Sequence, residues 1–198
     1  MEQHKKTVRL VFLAVLAAIV LLLQFFAGSV KIGPTSFSVV LIPITLGAML
    51  LGPWAGAVLG LLFGVAVTVN GLTGADPFTF ALIQYTPFLT IFLCLFKGTC
   101  AGFAAGWAYR WVKRINPMAA AVTAAATAPL VNTGIFALGA IFGFRQAFAE
   151  LFGVDQFWIF LFVTIIGINF LVEMAVNLVF SPALAQVVKA VDKMEKKK

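Results

Sequence analysis

Four polar side chains stand inside stretches otherwise apolar enough to cross a bilayer: Lys97, Asn132, Asn169 and Glu173. Ionisable and amide groups are expensive at membrane depth. They face a bundle interior or a cavity and mark ligand or ion sites by default. Asn169, Glu173 and Asn177 follow one another at i, i+4 and i+8, one stripe of a helix. That stripe reads as an interhelical polar clasp or as a ligand or coupling site, with Asn169, nearer the middle, the better ligand candidate. Asn132 follows Pro129, whose ring frees a carbonyl on the preceding turn. Asn132 either answers backbone there or faces a pocket. Lys97 either snorkels to the interface or offers its charge to an anionic ligand. Gln84 and Tyr85 add donors and an aromatic wall, the mix of a small-molecule pocket. Lys31 and Arg145, on expected loops, add positive charge.

The chemistry that is missing narrows the function. The single histidine, His4, lies in the N-terminal tail, and the two cysteines, Cys94 and Cys100, lie in an apolar stretch as buried thiols. One His and two Cys are too few for a usual zinc site. No Ser-His-Asp set or catalytic carboxylate pair accompanies the polar groups. No G-x-x-x-x-G-K-[ST] phosphate loop occurs, so the chain does not hydrolyse ATP by itself. No enzyme and no cofactor are expected.

The elements that must position these groups are membrane helices. Of 198 residues, 62% are apolar and 11% charged, whereas soluble domains carry about a quarter charged. A span takes roughly 20 apolar residues. The pattern predicts an all-α bundle of six spans, at 8–28, 37–51, 54–70, 91–112, 118–140 and 157–179, forming one membrane-embedded domain over 1–198. The apolar N-terminal run is longer than a signal-peptide core and reads as a retained first helix. The second span is short and interrupted by Pro43. A polar loop with Ser29, Lys31, Gly33 and Pro34 precedes it. Segment 78–90 reads as a partly buried loop or broken helix start, and a further loop carries Arg145, Glu150 and Asp155. Segment 189–198 reads as a basic tail.

Charge sets the orientation. Six spans put both termini on one side, with 11 of the 14 basic residues. The positive-inside rule makes that side the cytoplasm. The net charge of +7 is therefore mostly topology, not a nucleic-acid footprint. Glycines recur every four residues at 52, 56, 60 and 64, and again at 98, 102 and 106. Such series let helix backbones approach closely.

Together these features resemble the substrate-binding S component of energy-coupling-factor (ECF) vitamin transporters. Ala14 and Ala18 match the A-x-x-x-A of that family's first helix. The run LGAMLLGPWAGA over 46–57 resembles its Gly-Pro turn, the most specific element. Val131-Asn132-Thr133 and the 169–173 run NFLVE most resemble the pantothenate members. The resemblance covers most of the chain. It implies vitamin capture outside a bacterial plasma membrane, with a membrane coupling protein docking at Ala14 and Ala18 and two cytoplasmic ATPase subunits driving transport. On that reading Lys97 faces a carboxylate, and Asn132 and Asn169 face amide and hydroxyl groups. A self-sufficient secondary transporter or channel would call for an inverted repeat, and the two glycine series are adjacent instead. A purely structural membrane protein would leave Lys97, Asn132, Asn169 and Glu173 as one another's partners.

Overall fold

The structure, a computed structural model, describes residues 2–27, 31–32, 35–36, 39–152 and 157–196. The chain is all-α apart from a small antiparallel hairpin, β1 (Lys31–Ile32) with β2 (Thr35–Ser36), after α1 (Glu2–Ala27). Among the described residues, five helices are long and apolar enough to cross a membrane, and Leu41–Leu51 is a shorter apolar helix. Gly28, Ser29, Gly33, Pro34, the start of the second expected span at 37–38, and Asp155 lie outside the described residues.

Prolines and caps set the boundaries. In α2 (Leu41–Leu51), Pro43 occupies the first turn, where a missing N–H removes no helical bond, so it shortens the helix rather than interrupting it. Gly52 then takes φ +106°, a turn that only glycine makes cheaply, and α3 (Pro53–Leu72) starts at the next residue. Asp76 caps α4 (Pro77–Tyr85), accepting from the Phe78 N–H at 3.3 Å and from the Thr79 hydroxyl at 2.7 Å. Asn116 caps α6 (Pro117–Gly143) by accepting from the Met118 N–H at 2.8 Å.

The ambiguous segment 78–90 is a broken helix. Between α4 and α5 (Pro87–Lys113), Thr86 leaves helical geometry because Pro87 has no N–H to continue the ladder. The Thr90 hydroxyl donates to the Leu82 carbonyl (3.1 Å) and the Thr86 carbonyl (2.8 Å), bridging the break.

Two expected irregular segments are helical instead. The loop expected around Arg145 and Glu150 is α7 (Arg145–Phe152). Phe144, Ala147 and Phe148 are buried at i, i+3 and i+4, an apolar stripe that the surrounding charges disguise. The expected basic tail is helical as far as Lys196. Just before it, Leu184, Ala185 and Val188 pack against Ala120, Ala121 and Ala124 of α6. The sixth expected span is composite, with α8 (Phe157–Ile159), an i→i+5 helix over Phe160–Gly167, and α9 (Ile168–Lys196).

The closest helix contact joins α3 to α5. A Cβ on Gly56 would strike the Gly102 carbonyl, one on Gly60 the Gly98 carbonyl, and one on Gly64 the Cys94 carbonyl. The two glycine series thus interlock as an antiparallel pair. Overpacking such a contact costs about 1–3 kcal/mol. Gly60→Val is expected to lower the thermal midpoint of the purified protein in detergent. Gly134→Ala, where a Cβ meets nothing within 4 Å, is expected to leave it unchanged.

Candidate functional site

The polar residues converge because three helices bring them to one depth. Lys97 lies ten residues past Pro87 in α5, about 15 Å along. Asn132 lies eleven residues before the end of α6 at Gly143, about 16 Å along. Since α5 and α6 pack against one another, both residues stand at a similar distance from the same end of the bundle. The Lys97 ammonium sits 5.3 Å from the centroid of the Phe136 ring, a cation–π contact. Phe136 is one turn from Asn132. Its ring therefore stands beside both groups.

The facing wall is α9. Asn169 is half-buried near its start, and Glu173 and Asn177 are buried on the same stripe. The Asn177 amide donates to the Glu173 carbonyl at 2.9 Å. Among the described residues, Glu173 Oε2 has no hydrogen-bond partner, and neither do Oδ1 of Asn132, Asn169 and Asn177. A buried polar atom left unsatisfied costs about 1–3 kcal/mol. Four such acceptors lie on two packed helices, α6 and α9. Gln24 Oε1 on α1 and Thr45 Oγ1 on α2 are also unpartnered. The arrangement offers one cation and several acceptors to a small molecule rich in donors. Among the described residues, no three His, Cys, Asp or Glu side chains gather as metal ligands.

An aromatic cluster adjoins the polar groups. Phe136 lies 6.2 Å from Phe78 and 6.5 Å from Phe144 between ring centroids, and Phe148 links Phe144 to Phe157. Tyr85 packs on this cluster, and the Glu150 carboxylate of α7 lies near its phenol. Interaction with that carboxylate holds the Tyr85 pKa above the ordinary tyrosine value, with desolvation acting in the same direction.

Lys97 and Asn132 are therefore brought together at Phe136, and Asn169 and Glu173 stand one turn apart on α9, which packs on α6. Gln84 stands on the exposed face of α4. Arg145 is exposed on α7, its guanidinium 6.0 Å from the centroid of Phe157. Ala14 and Ala18 are exposed on α1. The Lys31 side chain lies outside the described residues. Sequence reasoning missed Phe136 and Glu150. With 21 phenylalanines in the chain, one of them carries no signal. The position of Phe136 one turn from Asn132 was the available clue.

Fold and site define a multi-pass membrane protein with a polar centre between its later helices. Residues 8–185 match the family ECF transporter, substrate-specific component, and the chain belongs to that family. Its members bind substrate without catalysing a reaction, and this chain is not an enzyme. No curated protein and no solved structure matches the chain.

The Tyr85 contact is testable by titration. Glu150→Gln is expected to bring the Tyr85 phenol down towards its ordinary pKa, read from phenolate absorbance in a Tyr109→Phe background.

Proposed function

We propose that this S component captures pantothenate, or a close relative of the same chemistry, at Lys97, Asn132, Asn169 and Glu173. The observation that carries the reading is the set of buried unpartnered acceptors on α6 and α9, with the Lys97 ammonium on the adjoining α5. Pantothenate has one carboxylate, two hydroxyls and one amide N–H. The carboxylate suits Lys97 as a charge-assisted contact. The hydroxyls and the N–H are donors for Asn132 Oδ1, Asn169 Oδ1 and Glu173 Oε2, with the acidic residue at the hydroxyl end. The aromatic cluster with Tyr85 supplies an apolar wall for the dimethyl group. Gln84 and Arg145 act at the rim, where a mobile ligand passes before it is buried.

The rest of the proposal concerns assembly. Both termini lie in the cytoplasm of a bacterial cell, and α2 serves as the short sixth span. The exposed Ala14 and Ala18 face on α1 docks a membrane coupling protein, since small residues allow close helix contact. Two cytoplasmic ATPase subunits provide the energy that this chain, lacking a phosphate loop, has no means to extract.

Mass spectrometry of the ligand retained through purification is expected to find pantothenate. A hydrogen bond to a charged group contributes about 1.5–3 kcal/mol, or roughly 10–150-fold in affinity. Lys97→Met is expected to weaken pantothenate binding by that factor, and Asn169→Ala to weaken it less, by calorimetric titration. Unchanged affinity in both would remove them from the site. The protein alone in liposomes is expected to show no uptake, whereas uptake without ATP and partners would favour a self-sufficient transporter.

A further inference from the structure

At the end of the bundle away from the polar centre, four aromatic rings form a continuous ladder. Trp54 at the start of α3 meets Phe103 of α5 edge-on at 5.2 Å. Phe103 meets Trp107 at 6.3 Å, and Trp107 meets Trp111 at 5.9 Å. The indoles are open to the surroundings, with exposures of 77% for Trp54, 41% for Trp107 and 71% for Trp111. Positions 103, 107, 110 and 111 form one stripe of α5, and Arg114, the residue just past its end, continues it. Arg110 and Arg114, both exposed, therefore stand on the same face as the rings. Arg110 reaches the turn before Trp54, since a Cβ on Gly52 would lie 2.5 Å from its guanidinium.

Apart from Glu2 of α1 and Asp192 and Glu195 at the end of α9, this end of the bundle carries no carboxylate side chain. Helices α2, α3, α5 and α6 contain no Asp or Glu. The only acidic residue between Gly52 and Met118 is Asp76, which caps α4 at the opposite end of α3. Two exposed guanidinium groups beside an apolar aromatic strip match one common molecule, a lipid with an anionic head and an acyl tail. Tryptophan belongs at the head-group level of a bilayer, and Arg recognises phosphate with a planar fork of donors.

We propose that the α3–α5 face holds an anionic phospholipid, with its phosphate on Arg110 and Arg114 and an acyl chain along Trp54, Phe103, Trp107 and Trp111. The site is separate from the polar centre and does not depend on which substrate is carried there.

The experiment uses the full chain carrying Trp158→Phe. Trp158 lies at the far end, beside Phe157 and Phe162, so in this variant all remaining tryptophan emission comes from the ladder. The protein is reconstituted in vesicles containing dibrominated phosphatidylglycerol or dibrominated phosphatidylcholine at equal mole fraction. Stronger quenching by the anionic lipid is expected, corresponding to a preference of roughly fivefold for each arginine. Arg114→Gln, which leaves the Arg110 contact at Gly52 in place, is expected to reduce the preference, and Arg110→Gln with Arg114→Gln to abolish it. Equal quenching by both lipids in the arginine-bearing protein would overturn the proposal, leaving an ordinary interfacial belt. Loss of the anionic preference in the presence of free phosphate would overturn it in favour of a soluble anion. Complete shielding from both lipids on assembly with the coupling subunits would also overturn it, assigning the face to a protein.

Discussion

The contact on which the other positions depend is the backbone approach of α3 to α5. Gly56 meets Gly102 and Gly60 meets Gly98 with no side chain between them. In a bilayer the hydrophobic effect gives helices no reason to associate with one another, so close packing takes over that role. This contact also locates Lys97, the residue immediately before Gly98. A lysine on a loosely held helix would be free to slide towards the interface. Here its helix is held at the adjacent residue, and its ammonium is directed at Phe136. The same helix packs on α6, which carries Asn132, and α6 packs in turn on α9, which carries Glu173. One steric constraint thus passes through three helices to the polar centre.

Much of this was legible in the residue pattern. Glycine every fourth position announced a close contact, and the structure shows the two series meeting each other. The expensive polar residues pointed to the later helices, and the structure sets Lys97 over Phe136, one turn from Asn132. Gly52-Pro53 marked a turn that the structure places between α2 and α3. What stayed hidden was local. Helix α7 looked like a loop because Arg145 and Glu150 dominate a segment whose buried stripe is only Phe144, Ala147 and Phe148. The end of α9 looked like a free tail because lysines dominate its composition, whereas the helix runs on from Ile168 and is anchored on α6 alanines by Leu184, Ala185 and Val188 just before that end. Pairings across elements, such as Tyr85 with Glu150 and Lys97 with Phe136, have no sequence periodicity to reveal them.

The distribution of unsatisfied atoms distinguishes the two ends of the bundle. At one end, four buried oxygens on α6 and α9 lack donors among the described residues. At the other, two exposed arginines stand beside exposed indoles. A bundle held together only by polar clasps would pair its own groups internally. This one leaves acceptors inside and donors outside, so each end presents what a different kind of molecule would complete. The small-residue packing of α3, α5 and α6 leaves little polar chemistry between those ends.

The i→i+5 stretch over Phe160–Gly167 has a consequence for how the last helix can change over evolutionary time. Its wider turns lie directly before the Asn169–Glu173–Asn177 stripe. Each residue of an α-helix turns the chain by about 100°, so the number of residues in this stretch acts as a phase setting. An insertion or deletion of one residue there would rotate the polar stripe away from α6 without altering any of its side chains. Length, rather than composition, is the heritable property that keeps this face aimed inward. A lineage that changed its cargo could do so by recounting this segment while leaving the glycine-packed scaffold untouched.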